Sequence, residues 1–150
     1  MTITLTPSVF DKPARIGDFK WMIDRPEFGR TLFVFNDNEE QFLAFHAGRS
    51  SAGTRGGGNA IIRPYQVGAN PRAAGIPTGK NNRGYPRLDD NARAQIDRAI
   101  EHIRGLLATG RFDDVRYSAT ETGELGVSIY APGDDVKRYI VSRLREIVGQ

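Results

Sequence analysis

Between Gln41 and Leu88 the 150-residue chain carries seven basic side chains, Arg49, Arg55, Arg63, Arg72, Lys80, Arg83 and Arg87, and no carboxylate. Setting these aside from the 21 Lys and Arg leaves 14 cations against 18 carboxylates elsewhere, so the net charge of +3 comes from one stretch. Six of the seven are arginine, whose planar fork of donors matches phosphate and whose charge is less strongly hydrated than that of lysine. The chemistry this points to is the binding of an anion. Glycine supplies the second half of the pattern. The consecutive Gly56, Gly57 and Gly58 lose much conformational entropy on folding, and a compact chain keeps them for turns or for bringing backbone close to something.

Three segments hold the candidate contacts. Backbone amides from Gly56 to Asn59 and from Thr78 to Lys80 could form anion-binding nests, with Arg63, Arg72 or Arg83 answering phosphate charge. Tyr65 or Tyr85 could stack on a base. Asn36, Asp37 and Asn38 follow an apolar run at the position where open α/β sheets collect ligands. The candidate ligand-binding set is therefore Asn36, Asp37, Asn38, Gly57, Gly58, Asn59 and Arg63, continued by Tyr65, Arg72, Thr78, Gly79, Arg83 and Tyr85. The competing readings are plain: a solvated basic loop, glycines that only reverse the chain, and asparagines that only form turns.

Other chemistries lack their residues. Without cysteine there is no disulfide, thiolate nucleophile or Cys-ligated zinc, and the two histidines, His46 and His102, make a poor metal set. Neither a metal nor a cofactor is expected. Gly79-Lys80 is followed by Asn81, so the Ser/Thr of a phosphate-binding P-loop is missing, and Gly56 and Gly58 lack the third glycine of a dinucleotide fingerprint. Ser118 and Ser128 have no nucleophile elbow around them. The acidic doublets Glu39-Glu40, Asp89-Asp90, Asp113-Asp114 and Asp134-Asp135 are sequence neighbours, which do not face each other on a helix. No acid/base pair emerges, and no catalytic residue is assigned.

The elements that must position these groups follow from hydrophobic periodicity. Thr31 to Phe35 reads as a buried strand that Asn36 or Asp37 punctuates, and Phe42, Leu43 and Phe45 then suit one face of a short helix stopped by Gly48. "AAGIP" supplies another strand, with Pro77 ending it. From Leu88 the signal is strongest: Asp89 or Asp90 caps a helix whose Ile96, Ala99, Ile100, Ile103 and Leu107 form one stripe, closed by Gly110. "DVRYSAT" and "LGVSIYAP" read as strands around a turn at Gly123. A last helix starts at an acidic cap and turns Val136, Ile140, Leu144 and Ile147 or Val148 inward. Alternating strands and helices predict a single layered α/β domain, with a mixed central sheet flanked by helices. Residues 1–30, with Phe19, Trp21 and Phe28, are expected to add an edge strand or hairpin to a ligand-binding domain at 31–150, and to offer apolar area for self-association.

The order of these segments resembles a family of small phage and bacterial proteins. Those run from an apolar strand ending in "FGDN", through a glycine run and an "AIPTK"-like element, to a helix and a strand followed by a Gly-rich turn. Asn36-Asp37-Asn38 match the "GDN" element, Gly56 to Asn59 the glycine run, and Ile76-Pro77-Thr78 the "IPT" element. The plan is similar to that of macrodomains, which bind ADP-ribose, so the resemblance implies a macrodomain-like fold over about residues 31 to 148. Asn36 stands where the family has glycine, and "TETGELG" replaces a richer glycine loop, which speaks against carrying over a hydrolase activity. The chain also resembles the Thoeris anti-defence proteins of phages, which implies an oligomeric sponge that sequesters a cyclic ADP-ribose isomer or cyclic oligonucleotide without cleaving it.

The expected function is therefore non-catalytic capture of a small nucleotide ligand, by a homo-oligomer. The alternatives are a macrodomain-type ADP-ribose-processing enzyme, with Asn38 and Asn59 orienting a ribose and Asp37 acting on water, and a basic nucleic-acid-binding domain. No apolar run is long enough to cross a bilayer, and "MTITLTPSVFDKPARIGDFKW" lacks the basic and apolar regions of a secretory signal. The expected location is the cytoplasm, that of the host if a phage encodes the protein.

Overall fold

The computed structural model describes residues 2–49, 56–127 and 130–150. Arg55, Ser128 and the centre of the "LGVSIYAP" strand expectation lie outside them. Five strands form one sheet in the order β1-β5-β2-β3-β4, where β1 is Thr4–Ser8, β2 Thr31–Asn38, β3 Ala73–Lys80, β4 Arg83–Gly84 and β5 Asp114–Ser118. The first four in that order run parallel and β4 is antiparallel, so the protein is α/β with a mixed sheet. Helices α1 (Phe19–Ile23), α2 (Glu39–His46), α3 (Asp90–Leu107) and α4 (Asp134–Ile147) accompany it. None of the described helices is long and apolar enough to cross a membrane.

The continuous apolar run of β2 is explained by its two covered faces, the usual signature of a central parallel strand. Leu32 and Val34 pack with Ile96, Ile100 and Ile103 of α3 and with Val136, Ile140 and Leu144 of α4. Phe33 and Phe35 point the other way, to Phe19 and Met22 of α1 and to Ile62 in a 3₁₀ segment, Gly58–Gln66. Phe19 meets Phe33 edge to face at 5.1 Å and is fully buried. Trp21 and Phe28 pack partly against the same cluster and are covered by the guanidinium groups of Arg25 and Arg116. Phe19 thus belongs to the core and offers no free apolar area, while Trp21 and Phe28 stay half-buried at its edge.

Two strands continue past their expected ends. Asn36 and Asp37 do not punctuate β2, which runs on to Asn38. Pro77 does not end β3 either. Arg72 O accepts from Phe33 N, so in the alternation of the parallel ladder the Pro77 nitrogen faces away from β2. On that side β4 reaches only Gly79 and Lys80, so no ladder bond is lost. A tight turn then joins β3 to β4 through Asn81 and Asn82, both at positive φ (54° and 60°), the pairing that two-residue hairpins require. Beyond β5, where a strand pair around Gly123 is expected, the described residues show an isolated antiparallel bridge between Leu125 and Ala119.

Helix α3 begins and ends as its periodicity predicts. The Asp89 carboxylate accepts from Ala92 N at 2.8 Å, and Gly110 takes a φ of 76° beyond its end. Helix α4 differs at its start: Gly133 occupies the cap position, and the Asp135 carboxylate instead accepts from the amides of Leu88 and Val136. These bonds hold its pKa below the usual carboxylate range. Gly133 is required there because a Cβ would come within 2.4 Å of Pro86 O.

Helix α2 docks on α3 through aromatic contacts. His46 sits 5.1 Å from His102 and 4.4 Å from Phe42, ring centre to ring centre. Burial, aided by His102 and Arg98, brings the His46 pKa down to about 4, and burial lowers that of His102. The unfolded chain titrates near the ordinary histidine value of 6.5 and therefore binds more protons in the window from 6.5 down to about 4. Stability is expected to be full above that window and to fall through it, by on the order of 1 kcal/mol once solvent screening of these half-buried rings is allowed for. Urea unfolding at pH 7.5 and pH 5 checks this: the difference between the two midpoints should shrink in His46→Phe. That comparison separates the histidines from Asp37, whose raised pKa acts in the opposite sense.

Candidate functional site

The carboxyl ends of β2 and β3 open into a cleft of about 610 Å³. Strand β2 contributes Asn36, Asp37 and Asn38, while β3 and its turn contribute Thr78, Gly79, Lys80 and Arg83. Gly56, Gly57, Ala60 and Arg63 approach from the 3₁₀ side, and Tyr130 also lines the cleft. The volume falls within the range of small-molecule sites. The position is the one where parallel sheets collect ligands, because strand ends and the loops leaving them supply convergent polar groups.

The inner wall is an ion pair. Arg63 Nη2 donates to Asp37 Oδ1 at 2.6 Å, with side-chain exposures of 4% and 1%. Asp37 Oδ1 also accepts from Asn38 N at 2.8 Å, whereas Oδ2 has no donor among the described residues. Burial pushes the Asp37 carboxyl above its ordinary value, and Arg63 opposes that rise. The charge of Arg63 is therefore largely answered within the protein. The charge open to a ligand sits on Lys80 and Arg83, both exposed at the cleft. With Glu40, the lining holds three cations and two carboxylates. Glu40 is itself engaged, accepting from Asn81 N at 2.8 Å and tying α2 to the β3–β4 turn.

The glycines of the cleft serve mostly the chain itself. A Cβ on Gly56 would lie 2.9 Å from Arg63 Nη2, so this glycine lets the guanidinium close against the backbone. On Gly75 it would lie 2.9 Å from Asp37 Oδ2 and 3.0 Å from Phe35 Cζ, which makes Gly75 the space into which Asp37 is buried. Gly57 alone of the triplet has open space in front of its Cβ position while lining the cleft.

The thirteen candidate residues divide. Asn36, Asp37, Asn38 and Gly57 meet Arg63, Thr78, Gly79 and Arg83 around the cleft. Asn36 Nδ2 donates to Gly126 O at 2.7 Å, and Asn38 Oδ1 caps α2 by accepting from Gln41 N at 2.8 Å. Gly58 does not line the cleft and uses a φ of 56° to start the 3₁₀ segment. Asn59 is a tie between layers: its amide donates to Ser118 Oγ at 2.8 Å and its carbonyl accepts from Phe19 N at 3.3 Å.

Arg72 does not join Arg63 and Arg83. It precedes β3, at the amino end of the sheet, about 23 Å from Gly79 at the rise of an extended strand. There its guanidinium donates to Phe28 O at 2.6 Å. Tyr65 lies beside it, accepting from Arg72 N through its carbonyl and donating its hydroxyl to Asp24. The Tyr85 hydroxyl donates to Glu39 Oε1 at 2.8 Å, which also receives Asn91 Nδ2, so Glu39 joins α2 to α3 and the Tyr85 ring, 3% exposed, is packed in the core rather than left to stack on a base. The thirteen-residue candidate set left out Glu40, Gln41, Gly56, Ala60, Lys80, Asn81, Asn82 and Tyr130, which also line the cleft. The Asn-Asn pair carries a legible signal, since two residues tolerant of positive φ between Lys80 and Arg83 mark a hairpin that turns both cations toward one rim.

Among the described residues no group of three or more His, Asp or Glu side chains is arranged to hold a metal ion. No family model, curated protein or solved structure matches the chain.

Proposed function

We propose that this cleft captures a small nucleotide-derived signal carrying phosphate, a cyclic ADP-ribose isomer or a cyclic oligonucleotide, and holds it without cleaving it, as a macrodomain-like sponge would. The observation that carries the reading is the meeting of three sequence segments, "NDN", the glycine run and "PTGKNNR", around one cleft of about 610 Å³. Lys80 and Arg83 supply charge-assisted donors for phosphate, and the carboxamides of Asn36, Asn81 and Asn82 add neutral hydrogen-bonding groups. Retention without cleavage is supported by the engagement of the carboxylates: Asp37 is held by Arg63, and Glu40 by a turn amide. Asn38 and Asn59, which an ADP-ribose-processing reading needs on the ribose, serve as a helix cap and an interlayer tie.

Titration calorimetry with ADP-ribose, cyclic ADP-ribose isomers and cyclic di- and trinucleotides is expected to give saturable binding for at least one of them. Chromatography should return that ligand intact. Reversing the charge of Lys80 and Arg83 to Glu together should weaken binding at least a hundredfold, since each lost charge-assisted contact contributes about 1.5–3 kcal/mol. Silence across the panel from folded protein would end this reading. One observation favours a second reading: Asp37 is a buried carboxyl of raised pKa on a cleft wall, where general acids and bases are found. Cleaved ligand on the chromatogram would decide for it.

A further inference from the structure

A second cavity, of about 490 Å³, lies between α4 and the turn that follows β5, and it shares no lining residue with the cleft at β2 and β3. Its volume is again that of a small-molecule site. Leu125 and Val141, 3% and 7% exposed, give it an apolar floor. Arg138, Ser142 and Arg145 recur on α4 at spacings of four and three residues, which places them on one face of the helix, the one along the cavity. The turn that forms the other wall is pinned by its own hydrogen bonds. Tyr117 Oη donates to Gly123 O at 2.6 Å, Thr120 N to Glu124 O at 2.8 Å and Gly123 N to Thr120 O at 3.0 Å.

Charge on these walls is unevenly answered. Lys137 pairs with Asp134 at 3.0 Å, and Asp135, which feels the Arg138 charge, is taken up by the amides of Leu88 and Val136. Among the described residues the side chains of Arg138, Arg145 and Glu124 make no hydrogen bond or ion pair, although all three line the cavity and are exposed. Burial raises the Tyr117 pKa and the Arg145 charge opposes that rise, so this guanidinium reaches toward the turn. Two cations on the helix wall and one carboxylate on the turn wall are left to a ligand.

We propose that this cavity binds a short acidic peptide of dipeptide size, with its two carboxylates at Arg138 and Arg145 and its terminal ammonium at Glu124. One positive and two negative groups are the complement of the three open side chains. Spacing selects the size: seven residues of helix set the arginine Cα atoms about 10 Å apart, a span that a single acidic amino acid does not match. Each further extended residue adds about 3.5 Å. The Ser142 hydroxyl, between the two arginines, meets the peptide group, and Leu125 and Val141 take the aliphatic stem. This site does not depend on the phosphate reading of the first cleft.

The test is calorimetry on the full chain with glutamyl-alanine, its N-acetyl form, which lacks the ammonium, and its C-terminal amide, which lacks one carboxylate. The parent is expected to bind glutamyl-alanine saturably and each modified peptide about tenfold or more weakly, the loss of one charge-assisted contact. Arg138→Gln and Arg145→Gln should each weaken glutamyl-alanine by a similar factor. Glu124→Gln should weaken glutamyl-alanine but leave the N-acetyl peptide unchanged, because the group it pairs with is already gone. All three side chains are exposed, so urea midpoints close to that of the parent are the folding control. No binding of glutamyl-alanine by folded parent would overturn the site. Equal binding of the three peptides, or affinities that the variants do not change, would overturn it as well. An equal loss of both peptides in Glu124→Gln would overturn the ammonium assignment.

Discussion

Asp37→Ala is expected to lower the free energy of unfolding by about 3 kcal/mol, because it removes the carboxylate paired with a buried guanidinium. Arg63 is 4% exposed and reaches Asp37 at 2.6 Å, so its charge is answered inside the protein by this carboxylate. The pair is costly to break, yet of small net benefit over apolar side chains of the same volume. Asp37→Leu combined with Arg63→Met should therefore recover most of the loss. Urea midpoints for the two single variants and the double complete the cycle, and a loss from Asp37→Ala no larger than about 0.5 kcal/mol, the scale of a surface substitution, would show that the pair does not hold the cleft wall. The double variant should fold and still bind its ligand less well, since the inner wall of the cleft is no longer polar. Stability and binding then separate.

Gly79→Ala is the second large effect. A Cβ at Gly79 would lie 1.9 Å from the carbonyl oxygen of Arg83, on the backbone of the facing strand. Flexible side chains can give way, but a backbone carbonyl fixed in a hairpin cannot move without unpairing Gly79 from Gly84. Gly84 has no room to retreat, because its own Cβ position lies 2.4 Å from Ala131. The expected cost is about 3 kcal/mol, at the upper end for overpacking, together with displacement of Lys80 and Arg83 from the rim. Urea unfolding measures the first, and loss of calorimetric binding measures the second. Gly57→Ala, which meets nothing within 4 Å, is the control and should leave the midpoint nearly unchanged.

These two glycines mark the boundary of what the residues reveal on their own. Glycine-rich sequence announces that backbone comes close to something, and the natural first reading is a ligand. Here Gly56, Gly75 and Gly79 are approached by Arg63, by Asp37 with Phe35, and by the β4 backbone. Identity of the approaching group depends on contacts across long sequence separation, which no local pattern encodes.

The local patterns served where the physics is local. A stripe at 3.6-residue spacing with Asp89 before it and Gly110 after it specifies α3, because capping and amphipathicity are properties of contiguous residues. The run from Leu32 to Phe35 specifies a strand covered on both faces. Strand ends were less legible: whether Pro77 interrupts β3 depends on which neighbour its nitrogen faces, and that is a fact about sheet order. So it is with charge. The sequence by itself determined that seven cations share one acid-free stretch and that two strands deliver polar loops nearby. Only the tertiary structure decided that Arg63 is neutralised by Asp37, that Arg72 stands at the far end of β3, and that Lys80 and Arg83 are left at the cleft. Coulomb attraction and desolvation act through space, and it is the folding of the chain that sets those distances.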